Sequence, residues 1–164
     1  MKKILLAAGM IALASGTAHA ATATGSAKAT VVAPLAITHT NAAALDFGTF
    51  TAGTGGQIAI SAAASPTTTP SGGVAFVSGN TNSADSFSVT GDTTRSFNVS
   101  FGGPVTVSTA GPTPATMSFS PTGVSSAALT AGVYTLYVGG TLTVGANQTA
   151  GAYTGTYSVT VTYQ

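Results

Sequence analysis

Few side chains in this sequence carry chemistry. After residue 20 the only imidazole is His39, the only carboxylates are Asp46, Asp85 and Asp92, and there is neither Glu nor Cys. A Ser-His-Asp relay would have to use His39, which stands between Thr38 and Thr40 in a connection after a strand. No G-x-S-x-G elbow accompanies it. A paired-carboxylate hydrolase would need two of the three aspartates. Their expected role is instead that of turn residues, accepting hydrogen bonds from their own backbone. Asn80, Asn82 and Asp85 offer oxygens to a hard cation, but such sites recruit more carboxylates than this, so a turn is the expectation there too. Tyr134, Tyr137, Tyr153 and Tyr157 have the chemistry of a sugar-binding surface; alternation with Val places most of them on apolar faces, where they pack. The residues therefore point away from an enzyme, a metal site or a cofactor.

Composition narrows the class further. Of 164 residues, 44% are hydrophobic and only 4% charged. Residues 1–20 read as a secretory signal peptide, with Lys2 and Lys3 as the basic start, an apolar stretch over 4–15, and Ala18-His19-Ala20 as an A-x-A cleavage site. That apolar stretch is too short to cross a bilayer, which takes roughly 20 residues. Beyond it, Lys28 and Arg95 stand against three aspartates, for a net charge of −1. So few cations cannot neutralise a row of phosphates, which excludes nucleic acid as a partner. No second apolar run is long enough to form an integral membrane segment. Without cysteine, stability must come from burial and strand pairing. The polar surface is left to Thr, Ser, Asn and Gly, which suits an extracellular assembly.

The elements that must position these residues are strands. No stretch after the signal peptide repeats apolar residues with helical spacing, and Gly and Pro interrupt the chain often. Alternating runs fill it: 45–50, 57–61, 74–78, 86–90, 96–101, 105–108, 117–120, 133–138, 141–144 and 153–163. Turn signals separate them, among them Gly53-Thr54-Gly55-Gly56, Gly102-Gly103-Pro104 and Gly139-Gly140. Residues 62–73, rich in Ala, Thr and Pro, read as a long loop. Many short strands at this spacing predict an all-β sandwich, formed by one domain over 34–164.

Two terminal segments stand out. From 153 to 163 the odd positions are Tyr153, Gly155, Tyr157, Val159, Val161 and Tyr163, and every even position is Thr or Ser, so one face is apolar and the other hydroxylated. Residues 21–33 mirror this with smaller side chains, Ala23, Gly25, Ala27, Ala29 and Val31 alternating with Thr, Ser and Lys28. Pro34 then removes a backbone donor and breaks the ladder.

The C-terminal segment resembles that of chaperone–usher pilus subunits, which end in an alternating strand with a penultimate aromatic and a Gly fourteen residues from the end. Here Tyr163 is penultimate and Gly151 is fourteenth from the end. Leu45-Asp46-Phe47-Gly48 is similar to a motif of archaic pilins and spore-coat-U-like proteins. The order of Ala33-Pro34-Leu35, Phe87-Ser88-Val89-Thr90-Gly91, Val138-Gly139-Gly140-Thr141-Leu142 and Gly151-Ala152-Tyr153-Thr154-Gly155 is closer still to a cysteine-free family of secreted Gram-negative domains of unknown function. The resemblance implies an incomplete immunoglobulin-like antiparallel β-sandwich, lacking one strand and completed by a donor strand from another copy or a related subunit. Until then a periplasmic chaperone would protect the open edge, and an outer-membrane usher would export the chain to the cell surface.

Carried onto this chain, the donor spans about residues 22–33 and inserts Ala23, Gly25, Ala27, Ala29 and Val31. The strand containing Tyr153, Tyr157, Val159, Val161 and Tyr163, after Gly151, borders the groove and is the chaperone contact. About ten new backbone hydrogen bonds, at roughly 0.5–1.5 kcal/mol net each, suffice for a long-lived junction. The expected function is thus a structural subunit of a fimbria serving adhesion or biofilm. Two other readings share the fold: a monomeric surface-binding module whose N-terminal strand folds back on its own domain, and a coat protein assembling laterally.

Overall fold

The computed structural model describes residues 19–164, so residues 1–18 of the expected signal peptide, Ala18 among them, lie outside the described residues. Ala20, its other cleavage-site residue, is exposed and in no strand. Two compact units divide the chain, Met1–Val31 and Val32–Gln164. In the first, residues 19–31 form neither helix nor strand and are exposed, Val31 at 96%.

The second unit is all-β. Its strands are β1 (Ala36–His39), β2 (Phe50–Thr51), β3 (Gly56–Ile60), β4 (Thr68–Gly72), β5 (Ala75–Phe76), β6 (Asp85–Thr90), β7 (Ser96–Phe101), β8 (Val105–Thr109), β9 (Thr116–Thr122), β10 (Ser126–Ala128), β11 (Val133–Val144), β12 (Tyr153–Thr154) and β13 (Val159–Tyr163). Every pairing between them is antiparallel. The larger sheet runs β1-β6-β11-β9-β8-β12, with β3 paired to β11 and β4 to β3; the second runs β10-β7-β13, and β2 pairs with β5. This is the antiparallel sandwich expected from the alternation, consistent with an immunoglobulin-like arrangement.

Alternation does what it must in the strands that build the core. Ile58 and Ile60 of β3, Met117 and Phe119 of β9 and Leu142 and Val144 of β11 are buried, while Gln57, Ala59, Ser118, Ser120 and Thr143 between them are exposed. These side chains form one apolar cluster; Val89, Phe97, Leu136 and Val138 anchor a second. Each such side chain contributes roughly 1.5–3 kcal/mol by leaving water. Tyr157 packs against both clusters.

Four local expectations are corrected. Gly139-Gly140 is not a turn but the middle of β11, whose first half pairs with β6 and whose second half is flanked by β3 and β9. A Cβ on Gly139 would lie 2.2 Å from the Ile60 carbonyl oxygen, and one on Gly140 2.9 Å from that of Ser120. These glycines serve close backbone approach, the other reason a strand contains them. The expected loop at 62–73 contains β4, which pairs only with β3 and, as an edge strand, tolerates Pro70. The run at 45–50 makes one bridge, Asp46 to Ser83, before β2 begins. Finally, residues 153–163 do not form a single strand. β12 pairs with β8 in the larger sheet and β13 with β7 in the other, so residues 155–158 cross between sheets. Parity survives the crossing: Tyr153, Tyr157, Val159, Val161 and Tyr163 are half-buried, and Thr154, Thr156, Ser158, Thr160 and Thr162 are exposed.

The Leu45-Asp46-Phe47-Gly48 stretch is held by side chains rather than by a ladder. Gly48 N donates to Asp46 Oδ1 at 2.8 Å, and Asn82 Nδ2 donates to the Phe47 carbonyl at 2.8 Å. Asn80 accepts from Thr49 N and is itself tied to Asn82. Gly48 sits at φ +77°, and a Cβ there would meet both asparagine side chains, so glycine is required on two counts.

Candidate functional site

Two of the strands with an unpaired outer edge lie near each other: β1, at one end of the larger sheet, and β13, at one end of the second. They approach to within 8 Å between Cα atoms without pairing. Leu35 and Ile37 on one side and Val159 and Val161 on the other lie half-buried over the second apolar cluster. The base of this region is tied by Tyr163, whose hydroxyl donates to the Ala33 carbonyl at 2.8 Å and accepts from Asp92 N at 2.7 Å. The exposed Asp92 carboxyl is held below the ordinary carboxylate range, first by the Thr94 hydroxyl and then by the Thr94 amide.

An open cleft of about 1150 Å³ begins at His39, the last residue of β1, and is lined also by β2 and β12. Residues 43–52 form one wall, residues 148–157 the other, and Val107, Met117, Phe119 and Leu142 line it from the first cluster. Gly151 and Tyr153 stand in the second wall, where the Tyr153 hydroxyl donates to the Thr149 carbonyl at 2.6 Å. The floor is therefore apolar, and main-chain edges border it.

One polar group interrupts that floor. Asp85, the first residue of β6, is buried, with its side chain 6% exposed. Its Oδ1 accepts from Ser86 N at 2.7 Å and lies 2.7 Å from His39 Nε2, and its Oδ2 accepts from the Tyr157 hydroxyl at 2.6 Å. The Tyr157 ring stands edge-on to Phe87 and Phe119, at centroid distances of 6.2 and 5.7 Å, and so spans the two clusters. Burial first, then the hydrogen bond to Asp85 and that carboxylate's charge, push the Tyr157 phenol well above its usual range.

A titration follows with a definite sign. A raised phenol pKa leaves folding undisturbed below about pH 10, the ordinary value, and removes stability as pH climbs beyond it. In an ultraviolet titration Tyr157 should ionise only as the domain unfolds, and the Tyr157→Phe variant should lack that unfolding-coupled step.

Of the aspartates, Asp46 and Asp92 are the turn residues expected, accepting from Gly48 N and Thr94 N. Asp85 is not: it faces inward, and His39 belongs to the end of β1 rather than to a connection. The His39-Asp85-Tyr157 set is 46 and 72 residues apart along the chain and has no sequence signature. The one legible sign is parity, since Asp85 shares its face of β6 with Phe87 and Val89. Asn80, Asn82 and Asp85 do not converge, and no group of three or more metal-binding His, Cys, Asp or Glu side chains occurs among the described residues. The structure thus gathers Tyr153, Tyr157, Val159, Val161 and Tyr163 along one border. The donor candidates Ala23, Gly25, Ala27, Ala29 and Val31 are exposed and unpaired with any strand.

No described helix is long and apolar enough to cross a membrane. No curated protein and no solved structure matches the chain. Residues 35–163 match the model of a domain of unknown function, DUF4402. That span covers most of the sequence and nearly all of the sandwich, cleft and open edges included, so the chain belongs to the DUF4402 family.

Proposed function

We propose that this chain is a structural subunit of a surface fimbria, polymerised by donor-strand exchange and serving adhesion or biofilm formation. The observation that carries the reading is the pair of open edges, β1 and β13, lying near each other over the second apolar cluster. An unpaired edge over apolar surface is a template for another strand. Strand addition satisfies it, main-chain hydrogen bonds supplying affinity and alternate side chains supplying register. The alternating residues 22–33 of a second copy are the strand supplied, with Ala23, Gly25, Ala27, Ala29 and Val31 turned to that cluster. Seating them requires β1 and β13 to part, because a strand between two others needs about twice the 4.7–4.9 Å strand spacing. Before exchange, a periplasmic chaperone covers the β13 edge, and an outer-membrane usher exports the subunits.

The test is a denaturing gel of surface-sheared material, unboiled beside boiled, probed for this chain. A ladder at multiples of one subunit that collapses on boiling supports the reading. A single monomer band in both lanes overturns it and favours a monomeric binding module.

A further inference from the structure

One side chain ties the two open edges together. Tyr163, the last residue of β13, belongs to the second sheet, yet both partners of its hydroxyl flank strands of the larger one. The hydroxyl donates to the Ala33 carbonyl, three residues before β1, and accepts from Asp92 N, two residues after β6, the strand paired with β1. These partners are held in place to receive it. Pro34 restricts Ala33 to extended backbone and so fixes the direction of its carbonyl. Asp92 Oδ1 accepts from the Thr94 amide at 2.9 Å and from the Thr94 hydroxyl at 2.6 Å, which sets the turn that presents the Asp92 amide. A Cβ on Gly91 would lie 2.3 Å from the Tyr163 hydroxyl, so a glycine there leaves the notch open. We infer that this contact is a latch: it holds β1 and β13 together in the free chain and must release before a strand is seated between them.

Distances decide that the latch and a seated strand exclude each other. The edges stand within 8 Å between Cα atoms. A strand between them needs about 9.4 Å, twice a strand spacing of about 4.7 Å, so the edges must part by about 1.4 Å or more. The latch bonds measure 2.8 and 2.7 Å. Parting by that amount stretches them beyond about 4 Å, where no hydrogen bond remains. The latch therefore exists only in the closed chain. An interaction made in one state alone shifts the balance toward that state by its own free energy. Its removal favours opening, and that fixes the sign. The consequence is kinetic: the latch slows entry of a strand, and it has no part in retaining one already seated.

This inference rests on the strand-exchange reading, and its test separates the two. A fluorescent synthetic peptide of residues 22–33 is added to purified monomer of the exported chain. Uptake is timed by the appearance of the label in the unboiled monomer band. Tyr163→Phe keeps the ring and removes the hydroxyl. Its uptake should be roughly fivefold faster than that of the wild-type chain, the factor that about 1 kcal/mol of lost closed-state bonding gives. Release of seated peptide into excess unlabelled peptide should keep the wild-type rate. Thr94→Ala loosens the Asp92 turn from outside the gap and should speed uptake by a smaller factor; it takes the place of Tyr163→Phe if that variant does not fold. Uptake at the wild-type rate or slower overturns the latch and leaves strand exchange standing. Faster uptake with equally faster release also overturns it, because a general loosening of the domain has that effect. Absence of uptake by every chain overturns strand exchange itself, and the latch with it.

Discussion

Deleting residues 22–31 is expected to abolish polymer while leaving the sandwich folded. The deletion touches none of the strand pairings and neither apolar cluster. It also spares the Ala33 carbonyl, which accepts from the Tyr163 hydroxyl. Surface segments without such contacts change stability by no more than about 0.5 kcal/mol, so circular dichroism and the thermal midpoint should match the intact chain. The loss in assembly should be complete, because each junction is made by that segment, and without it about ten backbone hydrogen bonds have no partner strand. In an unboiled gel the deleted chain should run as monomer, and added intact chain should carry it only at a polymer end. If the deleted chain instead fails to fold, its N-terminal segment belongs to its own sandwich, and the reading changes to a self-completed monomer.

Asp85→Ala is expected to destabilise the domain by about 3 kcal/mol. The substitution leaves the Tyr157 hydroxyl and Ser86 N without their acceptor, and an orphaned buried donor costs roughly 1–3 kcal/mol. His39 adds little to this sum, because its half-exposed ring recovers water. For a domain of this size each kcal/mol moves the midpoint by about 3–4 °C, so melting should fall by about 10 °C. Asp85→Asn keeps one carbonyl acceptor and should lose less. Denaturant unfolding at an unchanged slope is the check. A loss below about 1 kcal/mol would mean that water reaches the carboxylate and that the site is not sealed.

Much of this protein was legible from spacing. Strict alternation identified the strands that became β6, β7, β8 and β9 to within a residue or two at most ends. The reason is that a half-buried strand needs period two, and nothing else in the chain competes for that pattern. Where glycine and proline were read as punctuation, the reading failed at Gly139-Gly140 and at Pro70. The same residues mark a turn, an edge or a close approach, and only the neighbouring strand decides which. The split of residues 153–163 into β12 and β13 is of the same kind. Alternation is unbroken through the crossing, so no local signal marks the change of sheet.

By itself, the sequence determined an all-β antiparallel domain without cysteine and with very few charges, and the apolar face of its last strands. These depend on composition and on a two-residue period, both local properties. Tertiary structure alone decided that the outer edges of β1 and β13 lie near each other with a cleft beside them, and that His39, Asp85 and Tyr157 meet within it. Those contacts join residues 46 and 72 positions apart, and they exist only because antiparallel pairing brings β1 against β6 and carries the C-terminal segment across both clusters.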